Sequence, residues 1–332
     1  MPPDGVGQDD GVTVPPRPPE QAGPAGADAP GGLDVVALGT LAAELARSAG
    51  ALVRDGRPRR VDVAATKSSP IDVVTAMDLA SEALLRRTLA ERRPHDGVLG
   101  EEEGHDAGTG GPDGVTWVLD PIDGTVNYLY GIPAYAVSVA AVVGPPRPEE
   151  WTVVAACVHS VADGRTWTAT LGGGAFEDGR PVRVNAPVGL DASLLGTGFG
   201  YTAERRRAQA RVVADLLPRV RDIRRIGSAA IDLCLLASGS LDLYFERGLQ
   251  PWDLAAASLV AREAGASVLG LRGGPPSSAM TVAGPEPTVR ELVALLEALD
   301  ADSDEPVGPD EPGPGPAGRG SGAVPRPGPG PD

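Results

Sequence analysis

Apolar residues recur every three to four positions at the beginning of the hydrophobic part of the chain. Over residues 33–54 this spacing predicts an amphipathic helix. A second helix is expected to begin after Thr75, because threonine is a residue type that commonly caps helix starts, and to run to about Arg92. The pattern therefore places two helices before the first long strand.

The middle of the chain has runs of apolar and β-branched residues, a composition typical of strands. These runs cover residues 134–143, 151–159 and 165–170. From residue 194 onwards short strands alternate with helices, and the last predicted helix covers 288–299. Two helices, a block of strands, and then alternating strands and helices predict one layered α/β domain.

Both ends of the chain differ in composition from the region between them. Residues 1–32 and 301–332 are rich in proline, glycine and aspartate and have few large apolar side chains. Such segments cannot bury enough apolar surface to offset the entropy that ordering would cost. We therefore predict two disordered tails on either side of a single domain at 33–300.

Neither export nor membrane insertion is indicated by the sequence. The first residues have no basic region and no apolar run, so no signal peptide is predicted. No apolar run approaches the roughly 20 residues that cross a bilayer. The net charge of −16 disfavours non-specific binding to nucleic acid or to an anionic membrane. A soluble, cytoplasmic protein is therefore the expectation.

The main candidate for chemistry is the stretch W-V-L-D-P-I-D-G-T-V-N-Y at residues 117–128. A buried strand is expected to end just before Asp120 and Asp123, and Gly124 and Thr125 follow at a possible helix start. Carboxylate oxygens suit a hard cation such as magnesium, and the free N–H groups of a helix start suit a phosphate. The stretch therefore suggests phosphoryl chemistry, although Asp-Pro and Asp-Gly pairs are also ordinary turn formers.

Three further carboxylates lie at predicted element ends. Glu101 follows the short strand of Val98 and Leu99, within a run of three glutamates that would ordinarily be a solvated surface. Asp78 and Asp253 fall in the first turns of predicted helices, where the helix dipole favours a carboxylate whether or not it has a function. These side chains could complete a metal site or could have only these local roles.

Other kinds of catalytic apparatus are absent from the sequence. Cys157 and Cys234 lie in apolar surroundings and are expected to be small buried core residues. There is no G-x-S-x-G motif and no Walker loop, and none of the three histidines lies beside a nucleophile motif. The glycine-rich stretch at 171–180 leads into P-V-R-V and not into a helix, so it does not fit a dinucleotide-binding loop.

Four sequence blocks resemble those of the inositol monophosphatase family, and they occur in the family's order. They are K-S-S-P-I-D-V-V-T-A-M-D at 67–78, V-L-G-E-E at 98–102, D-P-I-D-G-T-V-N-Y at 120–128 and P-W-D-L-A-A-A-S-L-V-A-R-E-A-G at 251–265. The chain is identified as a member over about 33–300. Ala257 and Tyr130 depart from residues that many members have there, glycine and histidine, and this loosens the inference about the substrate.

The resemblance implies a layered α-β-α-β-α sandwich that assembles as a homodimer and binds two or three magnesium ions. One ion would be held by Glu101, Asp120 and the carbonyl of Ile122. A second would be held by Asp120, Asp123 and Asp253, with Asp120 bridging, and a third would share Glu101. Clustered carboxylates repel without metal, so one or more should have a raised pKa.

The resemblance also implies roles around the substrate. Thr125, hydrogen-bonded to Asp78, would activate a water next to the first metal. The family's substrate contacts would fall on Asp123, Gly124, Thr125, Ala229, Glu246 and Asp253, with the N–H groups of Gly124 and Thr125 binding the phosphate. Lys67 would belong to the mobile loop of the metal site.

The implied reaction is lithium-sensitive hydrolysis of myo-inositol monophosphate. Histidinol-phosphatase, fructose-1,6-bisphosphatase and 3′-phosphoadenosine nucleotide phosphatase remain alternatives, because the discriminating contacts lie in less patterned loops near 194–202 and 224–229 and around Glu246. The alternative of a different class is a non-catalytic binding protein on the same fold. An intact carboxylate set argues against it, because an idle site has no need for clustered like charges.

Overall fold

The computed structural model describes residues 32–58, 61–67, 73–109 and 114–304. The predicted tails, apart from residue 32 and residues 301–304, lie outside this part. The helices are α1 (Val35–Asp55), α2 (Ala76–Arg92), α3 (Thr125–Tyr130), α4 (Ala203–Leu216), α5 (Ala229–Ala237), α6 (Pro251–Glu263) and α7 (Thr288–Ala298). The first strands are β1 (Val63–Thr66), β2 (Val73–Thr75), β3 (Gly97–Gly100), β4 (Gly104–Asp106), β5 (Val115–Asp123), β6 (Ala136–Val143), β7 (Thr152–Ser160) and β8 (Thr166–Thr170). The others are β9 (Gly174–Glu177), β10 (Arg180–Pro181), β11 (Leu194–Thr197), β12 (Asp222–Arg224), β13 (Leu243–Glu246), β14 (Ser267–Leu269) and β15 (Thr281–Gly284).

An eight-stranded sheet forms the first half of the domain, in the order β10-β9-β8-β7-β6-β5-β3-β4. Its strands pair antiparallel except for β3 and β5, which are parallel. Helices α1 and α2 cover one face, where Leu45 of α1 shares a core with Trp117 of β5. Helices α5 and α6 cover the other face, where Cys234 and Leu259 pack with Trp167. Sheet and helices thus form three successive layers.

A five-stranded sheet, in the order β12-β11-β13-β15-β14, forms the fourth layer. Helices α5 and α6 lie between it and the larger sheet, so residues of both sheets belong to one core. Helices α4 and α7 cover its outer face, where Leu216 and Leu292 pack on Leu243 and Val282. The predicted layered α-β-α-β-α sandwich is confirmed. Strands β1 and β2 form a separate antiparallel pair.

Helix α1 begins at a side-chain cap, where Asp34 accepts a hydrogen bond from the N–H of Ala37 (2.9 Å). It has 21 residues and is apolar enough to cross a membrane by length and composition alone. Its leucines and alanines, however, are buried against α2, β6 and β7. Because its apolar stripe faces the sheet, α1 has the burial pattern of a core helix of a folded domain.

Strand β5 continues further than the sequence pattern indicated. The expected strand ended near Leu119, but β5 includes the whole D-P-I-D segment and ends at Asp123. Its register against β6 is irregular between Asp120 and Asp123. Pro121 lies within this irregular part, where a residue without an N–H group costs no regular ladder bond. The irregularity places the two aspartates near one another at the end of the sheet.

The packed part of the chain also extends beyond residue 300. Composition predicts that residues 301–304 belong to the C-terminal tail, yet Ala301 is buried and packs in the core under α7. Asp302 pairs with Arg272, and Asp304 pairs with Arg247. These two ion pairs attach residues 301–304 to the folded domain, although their composition alone indicated disorder.

Candidate active site

The predicted site residues converge on one cavity of about 510 Å³ at the end of β5 and the starts of α3 and α6. Asp78 does not line it but is hydrogen-bonded to Thr125, which does. The predicted residues that line the cavity are Lys67, Glu101, Asp120, Ile122, Asp123, Gly124, Thr125, Ala229, Glu246 and Asp253. Residues more than 180 positions apart in the sequence therefore meet at one site.

Three carboxylates form the centre of this cavity. Asp120, Asp123 and Asp253 each offer one oxygen, and these oxygens lie within 4.8 Å of one another. Asp253 lies in the first turn of α6, and its Oδ2 atom accepts a hydrogen bond from the N–H of Gln250 (2.7 Å). An all-oxygen, anionic donor set of this kind suits a hard divalent cation.

Asp120 is the most isolated member of the cluster. Its side chain is 1% exposed, and its Oδ1 atom has no hydrogen-bond partner among the described residues. Burial, together with the charges of Glu101, Asp123 and Asp253, raises its pKa well above the ordinary value. A buried carboxylate oxygen without a partner is costly, and a bound cation would satisfy it. The residues present therefore fit a divalent metal.

Asp123 is oriented by the start of α5. Its Oδ2 atom accepts hydrogen bonds from Ser228 Oγ and from the N–H of Ala230 (2.7 Å). Ser228 is also the capping residue of α5, so one hydroxyl serves both the helix start and the carboxylate. Ser228 was not among the predicted site residues, because nothing in the sequence indicates its contact with a residue 105 positions away.

Lys67 neutralises the glutamate side of the cavity. Its Nζ atom lies 2.7 Å from Glu101 Oε1 and 2.7 Å from Glu102 Oε1. Burial raises the pKa of Glu101 to about 7, although the nearby ammonium of Lys67 acts in the opposite direction. Burial would lower the pKa of Lys67, but the two glutamates outweigh it and raise that pKa. The ammonium group of Lys67 thus lies next to Glu101, a carboxylate of the predicted metal site.

Asp78 uses its two oxygens for two purposes. Oδ2 accepts hydrogen bonds from the N–H (2.8 Å) and the hydroxyl of Thr75, which completes the capping box of α2. Oδ1 lies 3.1 Å from the hydroxyl of Thr125, and that hydroxyl also lies 3.0 Å from the carbonyl oxygen of Ile122. The local capping role and the contact with Thr125 are therefore both present in one side chain.

The other end of the cavity contains Glu246 and Ala229. Glu246 accepts a hydrogen bond from Tyr244 Oη (2.6 Å), and burial raises its pKa to about 7. It lies so close to Gly198 that a Cβ there would come within 2.0 Å of the carboxylate. Only glycine fits at that position while Glu246 keeps its place. The two sequence departures lie elsewhere: Tyr130 is exposed at the end of α3, and Ala257 is fully buried within α6.

A buried ion pair that the sequence analysis missed holds the loop after β3. Glu82 of α2 is fully buried and accepts hydrogen bonds from the N–H groups of Glu102 (2.8 Å) and Glu103 (3.0 Å). Arg86 binds Glu82 through Nε (2.8 Å) and the carbonyl of Gly104 through Nη2 (2.6 Å). The loop that carries Glu101 is thus fixed by two side chains of α2.

Replacing Glu82 with alanine is expected to lower the free energy of unfolding by roughly 3 kcal/mol or more, because two N–H groups and the Arg86 guanidinium lose a buried partner. Divalent-ion affinity should fall as well, since the loop carrying Glu101 loses its support. Urea unfolding and calorimetric metal titration measure the two effects. Glu82→Gln, which keeps an acceptor oxygen, should lose less of both. An alanine variant with unchanged metal affinity would show that Glu101 does not depend on Glu82.

The metal-free protein should lose stability as the pH rises from about 4.5 to 7. The pKa of Glu246 is raised from 4.5 to about 7, so the folded state binds this proton more tightly than the unfolded state does. Its contribution is complete below pH 4.5 and is lost across that window, at about 1.4 kcal/mol per pH unit for each such proton. Thermal melts in chelator at several pH values test this. Glu246→Gln should flatten the profile, and an equally steep profile in that variant would contradict the assignment.

Comparison with known proteins agrees with this geometry. A model of the inositol monophosphatase family matches residues 35–300. The inositol-1-monophosphatase of Mycobacterium leprae is 51% identical over 240 residues, which cover 70% of this chain and 80% of that protein. The solved structure of Mycobacterium tuberculosis SuhB is similar with a TM-score of 0.67 at 43% identity, covering 81% of this chain and 98% of that one.

A further structure, SaIMPase-II bound to inositol monophosphate, has a TM-score of 0.65 at 25% identity and covers 80% of this chain and 96% of that one. The family match includes every element from α1 to α7. It also includes each carboxylate of the cavity described above. The sequence blocks, the layered fold and these similarities lead to one conclusion: the chain belongs to the inositol monophosphatase family.

Proposed function

We propose that this chain is a magnesium-dependent phosphomonoesterase that hydrolyses myo-inositol monophosphate to inositol and inorganic phosphate. The observation that carries the proposal is the cluster of Asp120, Asp123 and Asp253, with an unpartnered buried oxygen on Asp120. The relatives named inositol-1-monophosphatase and the neighbour bound to inositol monophosphate support the choice of substrate.

The residues that would hold magnesium are the ones that the resemblance to the family implies. They are Glu101, Asp120, the carbonyl of Ile122, Asp123 and Asp253. Bound magnesium, in two or three ions, supplies positive charge that makes a water more acidic and offsets charge on the phosphate oxygens. The family is known for metal dependence, and the all-oxygen donor set is the observation of this chain that agrees with it.

The residues beside the cluster would position the reacting groups. The Thr125 hydroxyl, held by Asp78 and the Ile122 carbonyl, would orient a water and help to remove its proton. Gly124 adopts a φ of 94° at the start of α3, and a Cβ there would lie 2.9 Å from the Ala134 carbonyl oxygen. This glycine brings backbone N–H groups to the cavity, where they can bind phosphate oxygens.

Two further cavity residues suit a polyol. The Glu246 carboxylate can accept hydrogen bonds from ring hydroxyls, and Ala229 leaves room beside it because its side chain is small. Water would attack phosphorus directly, and the products would be the free alcohol and phosphate. We also expect a cytoplasmic homodimer, with lithium as an inhibitor. Light scattering on purified protein tests the dimer, and a monomer at micromolar concentration would contradict it.

Phosphate release tests the proposal when four esters are compared with magnesium present. They are myo-inositol 1-phosphate, histidinol phosphate, fructose 1,6-bisphosphate and 3′-phosphoadenosine 5′-phosphate. Preference for the inositol ester supports the proposed function. Preference for another ester would keep the reaction class and replace the substrate. No phosphate release from any ester, together with no magnesium binding in the millimolar range, would favour a non-catalytic binding protein.

A further inference from the structure

Three arginines line the same cavity as the carboxylate cluster, and none of them was among the predicted site residues. They are Arg205 at the start of α4, Arg225 after β12 and Arg247 after β13. Arg225 lies near enough to Asp123 and Glu246 to lower the pKa of both, against the effect of burial. Arg205 and Arg247 have a different partner, which comes from the end of the described chain.

That partner is Asp304. Its two oxygens bind Arg247 in a paired arrangement, with Nη1 at 2.6 Å from Oδ1 and Nη2 at 3.1 Å from Oδ2. Oδ2 also lies 3.4 Å from Nη2 of Arg205. Asp304 lies beyond residue 300, where the family match ends. A residue outside the matched part of the chain therefore neutralises two cationic groups of the cavity.

The two guanidinium groups are held in place by their surroundings. A Cβ added to Gly200 would lie 2.5 Å from Cδ of Arg205, and one added to Gly248 would lie 2.8 Å from its Nη1. Gly200 and Gly248 both line the cavity, so Arg205 is packed between two of its walls. The side chain of Arg247 is only 12% exposed. Arg205 and Asp304 are more exposed, at 32% and 43%, so salt still screens part of this interaction.

Guanidinium groups bind carboxylates and phosphates in the same bidentate geometry, with two parallel N–H···O hydrogen bonds. The Asp304 carboxylate therefore uses N–H donors of Arg205 and Arg247 that a phosphate could otherwise bind. A monophosphate ester uses its one phosphate at the metal cluster and has no second anion for the arginines. A substrate with a second phosphate does have one, and it must compete with Asp304 to reach them.

We propose that Asp304 is a specificity-determining residue: by occupying Arg205 and Arg247, it makes the cavity favour monophosphate esters over polyol or sugar bisphosphates. This inference rests on the proposed function for the place where the first phosphate binds. Without the Asp304 carboxylate, the two arginines form a subsite for the second phosphate.

The test compares two esters that differ only in the second phosphate, fructose 1-phosphate and fructose 1,6-bisphosphate. Their dissociation constants are measured by calorimetry on the magnesium-loaded full chain, with phosphate release followed in parallel. In Asp304→Asn, the affinity for the bisphosphate relative to the monophosphate should rise about threefold to tenfold, as expected for freeing partly exposed ion pairs. The gain should shrink at high ionic strength.

Two variants make the result specific. Asp302→Asn is the matched control, because Asp302 binds Arg272, which does not line the cavity, and feels Arg247 only through its charge; its affinity ratio should change less than that of Asp304→Asn. Adding Arg247→Gln to Asp304→Asn should remove the gain. An unchanged ratio in Asp304→Asn, an equal change in Asp302→Asn, or no detectable binding of either ester would overturn the inference. Failure of the proposed function would appear separately, as no phosphate release from myo-inositol 1-phosphate by the parent.

Discussion

Replacing Asp120 with asparagine is expected to lower kcat/KM for myo-inositol 1-phosphate by at least about a thousandfold, because charge stabilisation at a phosphoryl centre depends on the metal site. Asp120 is the most deeply buried member of the cluster, and its Oδ1 atom, which has no partner among the described residues, is the atom that most needs a cation. An amide has nearly the same shape but no charge to bind one. The rate of phosphate release at saturating magnesium is the measurement.

Stability separates this loss from unfolding. The pKa of Asp120 is raised by burial and by three neighbouring carboxylates, so its ionised form is unfavourable in the metal-free fold. A neutral asparagine relieves that repulsion. In the presence of a chelator near pH 7, the variant should therefore melt at the same temperature as the parent or higher. If the inactive variant melts at a much lower temperature than the parent, its loss of activity reflects unfolding and not the loss of a metal ligand. Activity within tenfold of the parent would contradict the assignment of Asp120 as a metal ligand.

Replacing Thr125 with valine should give the second largest effect, a fall in kcat of about a hundredfold to ten-thousandfold, the range for losing a positioned proton-transfer group. Valine keeps the branched shape but removes the hydroxyl that lies 3.1 Å from Asp78. Magnesium affinity, measured by calorimetry, should stay within about threefold of the parent, since no carboxylate ligand changes. The two measurements together distinguish a role in the chemical step from a role in metal binding.

Thr125→Ser provides the matched control. Serine restores a hydroxyl without the methyl group, so it should recover most of the activity that valine loses. Asp78→Asn is not an equivalent control. Asp78 also caps α2 through Thr75, so its replacement should lower the stability of the fold as well as the activity. A serine variant as inactive as the valine variant would indicate that the shape of residue 125, and not its hydroxyl, is what matters.

The helices and strands could largely be read from the sequence because their patterns are local. Helix α1 follows from the spacing of its leucines and alanines, and α6 from Pro251 at its first position. The order of strands could not be read in this way. The parallel neighbour of β5 is β3, and β13 lies between β11 and β15, so neighbours in a sheet are not always neighbours in the sequence.

The candidate site shows the same division between local and distant information. Asp120, Asp123, Gly124 and Thr125 lie in one motif. Glu101, Asp78 and Asp253 were candidates from their places at predicted element ends, and the resemblance gave them roles. The residues that hold them in place were missed, because each acts across the fold. Glu82 supports a loop 20 residues away. Nothing in the pattern around such a residue distinguishes it from an ordinary helix residue.

The C-terminal segment shows why composition can mislead at a boundary. Residues 301–304 have the acidic, small-residue composition of the predicted tail. Arginines that are distant in sequence, Arg247 and Arg272, nevertheless pair with Asp304 and Asp302. Such pairs become visible only when the fold brings their partners together, so the boundary could not be placed from the sequence.

The central claim is that the carboxylate cluster is the site of magnesium-dependent phosphate ester hydrolysis. It is tested most directly by removing divalent ions with a chelator and then following phosphate release from myo-inositol 1-phosphate as magnesium is added back. The account predicts no release before addition and a saturable rise afterwards, with no rise in Asp120→Asn. Release that continues in the chelator, or a parent protein that stays silent at saturating magnesium, would contradict it.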